Sequence, residues 1–243
     1  LLSKRKILNT VQMGMKIIQG ETTMTEKFEK DDLEAYTAKV LREENRYFQA
    51  VTVTGVNGIC PYGHKVGDVF KITSMNSDNI CGSLLKNIFP SVIVKHYGGS
   101  LLWETPALPV KGCCAEDGKV EVEIRPIERT ENVLLKTPFQ TRDMTGRGYP
   151  ALDKYRLFVE VRDIAVNCNW GHKIGDVFEV DPFNVGGACC FLYCQLYPYL
   201  HVLLSGASPP WAFEEKTVSG ECPDTYDRLC YRLFLKERRD PVC

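Results

Sequence analysis

An internal repeat constrains this chain more than any other feature. Residues 50–114 align with residues 158–222 without a gap, at a constant offset of 108 (168 − 60 = 108). Cys60-Pro-Tyr-Gly-His-Lys-Val-Gly-Asp-Val-Phe70 lies over Cys168-Asn-Trp-Gly-His-Lys-Ile-Gly-Asp-Val-Phe178. In the same register Cys81 falls on Cys189, Pro90 on Pro198, Gly98 on Gly206, Trp103 on Trp211 and Cys114 on Cys222. A short insertion in the second copy follows. Rare residues do not fall into register by chance, so the chain is a tandem duplication. The positions both copies share are mainly Cys, His, Gly, Asp, Pro and Trp. A demand for packing alone would keep Leu, Ile and Val instead.

Each copy reads as an α+β unit. Residues 49–56 and 157–164 alternate with β-branched side chains and predict strands. The Gly-His-Lys-x-Gly-Asp run is turn chemistry: glycine permits positive φ, and Asp68 or Asp176 caps the turn. Residues 69–73 and 177–181 predict the returning strands. Long apolar segments over 82–97 and 190–205 end at Gly98 and Gly206, as a helix with a glycine C-cap does. Pro90 and Pro198 would kink that helix or mark its true start. Final strands are expected over 119–127 and 229–236. The expected architecture is two tandem β-β-α-β modules preceded by an N-terminal helix over 25–47. The expected segments are an extension over 1–48, module 1 over 49–128, a linker over 129–154 with little regular structure, and module 2 over 155–243.

Each copy carries the same four candidate ligands: Cys60, His64, Cys81 and Cys114, then Cys168, His172, Cys189 and Cys222. Thiolate and imidazole are donors to zinc, copper(I) and iron–sulfur clusters. The competing reading is a set of small buried hydrophobes, but three matched pairs exceed what packing needs. A dithiol redox pair would favour Cys-x-x-Cys, which is absent. The wide spacing of the ligands and the Cys60-Pro61 and Cys222-Pro223 steps favour iron–sulfur over zinc. The expected cofactor is a 4Fe–4S cluster in each copy, with zinc as the alternative. His64 and His172 read equally well as ligands and as turn-stabilising side chains. Trp103 and Trp211 read as core anchors, able also to shield a cluster. Cys190, Cys194, Cys230 and Cys243 have no cysteine counterparts, and His96 and His201 do not match each other.

Around Cys60–Phe70 and Cys168–Phe178 the chain resembles a family of small bacterial and archaeal proteins, frequent in anaerobes. Their pattern is Cys-Pro-x-Gly-His-Lys-x-Gly-Asp, a Cys-bearing helix start, Tyr-Pro, Trp and Cys-Pro. The second copy keeps Tyr197-Pro198 and Cys222-Pro223 but has Asn169. The first has Phe89-Pro90 and Ala115. The resemblance implies a compact cysteine-rich module and no particular reaction.

Among the 243 residues, 30 are basic and 31 acidic, and the net charge of −1 offers nothing to nucleic acid. No apolar stretch reaches membrane-spanning length. Residues 1–24 lack the continuous apolar core of a secretory signal, and an odd count of 11 cysteines argues against a disulfide scaffold, so a cytoplasmic protein is expected. Three functions are in contention. The first is electron transfer through two clusters, within a redox complex or beside another protein or a second copy. The others are a metalloenzyme using an open iron as Lewis acid and a structural zinc module for protein–protein contact.

Overall fold

A computed structural model describes residues 45–238, apart from 106, 107, 117, 132 and 225–227, together with residues 35, 38, 39 and 42. Those last four are helical, and Tyr47 already belongs to a strand. Asn45 and Arg46 form a turn and a bend rather than helix, and the other residues of the expected N-terminal helix lie outside the described residues.

The protein is α+β. Two four-stranded antiparallel sheets have strand orders β2-β1-β4-β3 and β6-β5-β8-β7. In module 1, β1 is Tyr47–Val56, β2 Val69–Ile72, β3 Val110–Cys113 and β4 Val120–Glu128. In module 2, β5 is Tyr155–Ile164, β6 Val177–Val180, β7 Thr217–Glu221 and β8 Leu229–Glu237. Helix α1, Gly82–His96, follows β2, and helix α3, Cys190–Leu204, follows β6. Between the modules, α2 is a single short helix, Pro150–Lys154.

Alternation sets the faces. Val51 and Val53 of β1 point inward, as do Leu157, Val159 and Val161 of β5. Val120, Val122 and Ile124 of β4 match Leu229, Tyr231 and Leu233 of β8 beside them. Onto these faces α1 lays Leu84, Leu85, Ile88 and Val92, and α3 lays Leu192, Leu196 and Leu200. Both β1 and β5 carry a bulge at the same place, between Val53 and Gly55 and between Val161 and Asp163.

The helices run through Pro90 and Pro198 rather than starting at them. Each ends in a Schellman motif. Gly98 N–H donates to Lys95 O and Gly99 N–H to Val94 O, while Gly206 N–H donates to Leu203 O and Ala207 N–H to Val202 O. Gly98 and Gly206 have φ of 74° and 79°, which is the reason for glycine there.

Strands β3 and β7 were not expected, so each module is β-β-α-β-β. They are short edge strands that form only by pairing with β4 and β8. Trp103 and Trp211 correct a second expectation. They are 73% and 62% exposed and anchor no core.

The modules meet reciprocally. Gly82 N–H at the start of α1 donates to Phe183 O at 2.7 Å, and Cys190 N–H at the start of α3 donates to Met75 O at 2.9 Å. Gly82 matches Cys190 and Met75 matches Phe183 in the repeat register, so the contact has pseudo-twofold symmetry. Gly82 has no room for a Cβ, which would lie 1.8 Å from Tyr193 Oη.

Segment 129–154 is strapped across both modules. Asn76 Oδ1 accepts Thr137 N–H, and the matching Asn184 Oδ1 accepts Arg142 N–H, both at 2.8 Å. Lys136 Nζ donates to Trp170 O and lies 4.5 Å from its ring centre. Arg142 does the same at Tyr62, the residue matching Trp170, with its guanidinium 4.5 Å from the ring centre.

Candidate metal centre

The local chemistry of each module brings its candidate residues to one place. In the β1–β2 turn, Asp68 Oδ2 accepts Lys65 N–H at 2.9 Å, and in β5–β6 Asp176 Oδ2 accepts Lys173 N–H at 2.8 Å. The aspartate therefore caps the turn through the lysine's backbone. Gly63, Gly67, Gly171 and Gly175 all have φ near 90°, which lets the turn fold back over the sheet. This presents Cys60 and His64, or Cys168 and His172, toward the start of the helix. Cys81 and Cys189 are the N-cap residues of α1 and α3. Cys114 and Cys222 arrive from the loops after β3 and β7.

Cys60, His64, Cys81 and Cys114 all line one cavity of about 20 Å³. Cys168, His172, Cys189 and Cys222 all line a second, of about 10 Å³. Each quartet thus gathers within its own module. The other module supplies a wall: Phe183 closes the module 1 cavity and Met75 the module 2 cavity.

The sulfurs sit among backbone amides. Cys114 Sγ accepts Val120 N–H at 3.4 Å, and Cys189 Sγ accepts Leu192 N–H at 3.4 Å. Burial pushes the Cys81 thiol up to about 12, against the pull of the Leu84 and Ser83 amides. The Cys189 thiol is raised by its hydrogen bond with Cys222 and by burial. Without a cation these thiols keep their protons. None of the ten described cysteines is in a disulfide. Among the described residues, no three His, Cys, Asp or Glu side chains are already set as ligands of one ion.

The histidines separate the two copies. His64 Nε2 accepts the Cys81 N–H at 3.2 Å, which places its proton on Nδ1, 3.9 Å from Asp68 Oδ2. Burial lowers its pKa to about 4, so the ring is neutral and able to accept. His64 therefore positions Cys81, and its accepting nitrogen is engaged. His172 is also lowered to about 4 by burial and stacks on Phe178 at 4.9 Å. Its Nε2 is buried with no hydrogen-bond partner among the described residues.

Two lining positions escaped the sequence reading. Glu116 and Asp224 fall in the repeat register and line the two cavities. The change from Glu to Asp hid a carboxylate common to both copies. Tyr62 and Trp170 are likewise paired, 3% and 8% exposed. Tyr62 Oη donates to Asn79 O at 3.2 Å, and Trp170 Nε1 to the matching Gly187 O at 3.0 Å. Of the unmatched cysteines, Cys190 and Cys194 are buried in α3, Cys230 is half-buried in β8, and Cys243 lies outside the described residues. His96 is buried at the end of α1.

No protein-family model, curated protein or solved structure matches this chain. No helix among the described residues is long and apolar enough to cross a membrane.

Proposed function

We propose that the chain is a metal-binding protein with two sites, one per module, each built on three cysteines. Cys60, Cys81 and Cys114 would hold one load and Cys168, Cys189 and Cys222 the other. The observation that carries this reading is the convergence of all six cysteines, far apart in sequence, on two matched cavities. Loading needs the thiols to turn inward and release their protons, which makes affinity rise with pH. His64 acts beside the site by holding Cys81 rather than as a fourth ligand.

The size of the cavities favours a single thiophilic ion such as zinc or copper(I). A space of about 20 Å³ takes about one water-sized guest. The 4Fe–4S cluster expected from the sequence is several times larger and would require the three loops to move apart. Three thiolates leave a fourth position on the ion for a water or a substrate, so a Lewis-acid role follows more directly from this set than electron transfer.

The test is metal analysis with an absorption spectrum on protein purified without oxygen. Two equivalents of a colourless ion are expected, falling to one in Cys81→Ser and to one in Cys189→Ser. Iron with sulfide and a brown colour would replace the single ion by a cluster and restore the electron-transfer reading. Protein that holds no metal after incubation with zinc, copper(I) or iron and sulfide would end the proposal.

A further inference from the structure

The two helices differ at the point where they cover the cysteine cavities. Ser83 and Phe89 of α1 match Phe191 and Tyr197 of α3 in the repeat register. Phe89 and Phe191 meet edge to face with ring centres 5.6 Å apart. Their counterparts, Tyr197 and Ser83, instead place two hydroxyl-bearing side chains beside one cleft. One side of the pseudo-twofold axis is thus sealed by an aromatic pair that lines the module 2 cavity through Phe191. The other side is polar, and it opens.

On that polar side lies a cleft of about 550 Å³, within the range of small-molecule sites. Ser83, Glu116 and Phe183 line both this cleft and the module 1 cysteine cavity, so the two spaces adjoin. Tyr149, Tyr197 and His201 form further walls, with Leu152 and Leu204 supplying apolar surface. Among the described residues, no lysine or arginine lines the cleft. Both oxygens of Glu116 accept the Tyr149 hydroxyl, at 2.9 and 2.8 Å, and the Tyr149 ring lies on Phe183 with centres 4.3 Å apart. Burial lowers the pKa of His201 below its usual value, so the ring adds no positive charge near neutral pH.

A carboxylate in no ion pair among the described residues, set among three aromatic rings and apolar walls, is complementary to an ammonium on an apolar body. We propose that this cleft binds a small organic amine, its ammonium against Glu116 and the faces of Tyr149 and Tyr197, its body against Phe183. The module 1 cysteine site is then the one with access to a ligand. The inference stands apart from the metal reading, because the groups that would bind the amine include none of the cysteines.

The experiment is calorimetric titration of the full chain with benzylamine and with benzoate, which share a body and differ in charge. It is run on metal-loaded protein and on protein stripped by a chelator under reducing conditions. Binding of one benzylamine per chain in both states is expected, with benzoate at least ~10-fold weaker. Glu116→Gln should weaken benzylamine at least ~10-fold, the scale of one charge-assisted hydrogen bond. Ser83→Phe, which installs the residue of the other copy, should abolish binding by filling the cleft without altering charge. Benzoate binding as tightly as benzylamine, no binding of either, or benzylamine affinity unchanged in whichever of these variants folds would overturn the proposal. Binding confined to metal-loaded protein would overturn it too, since the ion rather than Glu116 would then be holding the amine.

Discussion

Module 1 and module 2 share strand order, bulge, turn, helix cap and cysteine positions, yet they treat their histidines and helix faces differently. His64 is fastened to the backbone of Cys81, while the Nε2 of His172 has no partner among the described residues. Ser83 and Tyr197 leave a polar opening where Phe191 and Phe89 close one. What both copies keep is the framework that gathers three thiols. What they let drift is access to it. Duplication relieves one copy of a task, and side chains bordering the cavity can change at less cost than those that hold the loops.

The largest effects should come from the part of the comparison that is equal. Leu84 and Leu192 occupy matched positions, both 0% exposed, under α1 and α3. Leu84→Ala and Leu192→Ala should each cost about 2–5 kcal/mol in chemical denaturation. Because the modules share hydrogen bonds and walls, both variants should lower one common transition. Two separate transitions, each sensitive to one variant, would show that the modules unfold independently and would break the comparison.

Next comes a site where the copies cannot be exchanged. Gly82→Ala places a Cβ against the ring of Tyr193, which is fully buried and donates its hydroxyl to Asp181 O at 2.8 Å. Overpacking of about 1–3 kcal/mol is expected. The matched Cys190→Ala only removes a sulfur and should cost less. Thermal melting of the two variants checks the order.

The smallest effects concern the histidines. His64→Ala should cost about 1 kcal/mol more than His172→Ala, since only the first leaves a buried N–H, that of Cys81, without its acceptor. Both rings have pKa values lowered from 6.5 to about 4 in the folded protein. The unfolded chain therefore binds more protons between those values. Stability should be full above about pH 6.5 and decline as pH falls toward 4. The double variant His64→Gln/His172→Gln should flatten that slope in a series of denaturation curves. An unchanged slope would move the acid sensitivity to other groups.

The legible parts of the fold were those written in local chemistry. Gly63, Gly67 and Asp68 announce the turn, and Gly98 ends α1, because each acts on residues a few positions away. The repeat register made the candidate site legible despite its long sequence separations, since it selected the same four candidate side chains twice. The hidden features depend on distant partners. Four-residue β3 lacks a pattern of its own and exists through β4. The strap over 136–142 is held by Asn76 and Asn184, which in sequence are ordinary loop asparagines. Trp103 and Trp211 misled because an aromatic kept in both copies suggests a core, whereas both lie on the surface.

The exchange of walls between modules, Phe183 over one cavity and Met75 over the other, bears on ancestry. A single module with this loop lacks one side of its own cavity. Two identical copies facing each other across a twofold axis would complete both, as in an isologous dimer. The gene that preceded the duplication would on this geometry have encoded a homodimer. Fusion then replaced an encounter that depends on concentration with a permanent neighbour. It also freed the two halves to diverge, since mutations no longer had to appear on both sides of the axis at once.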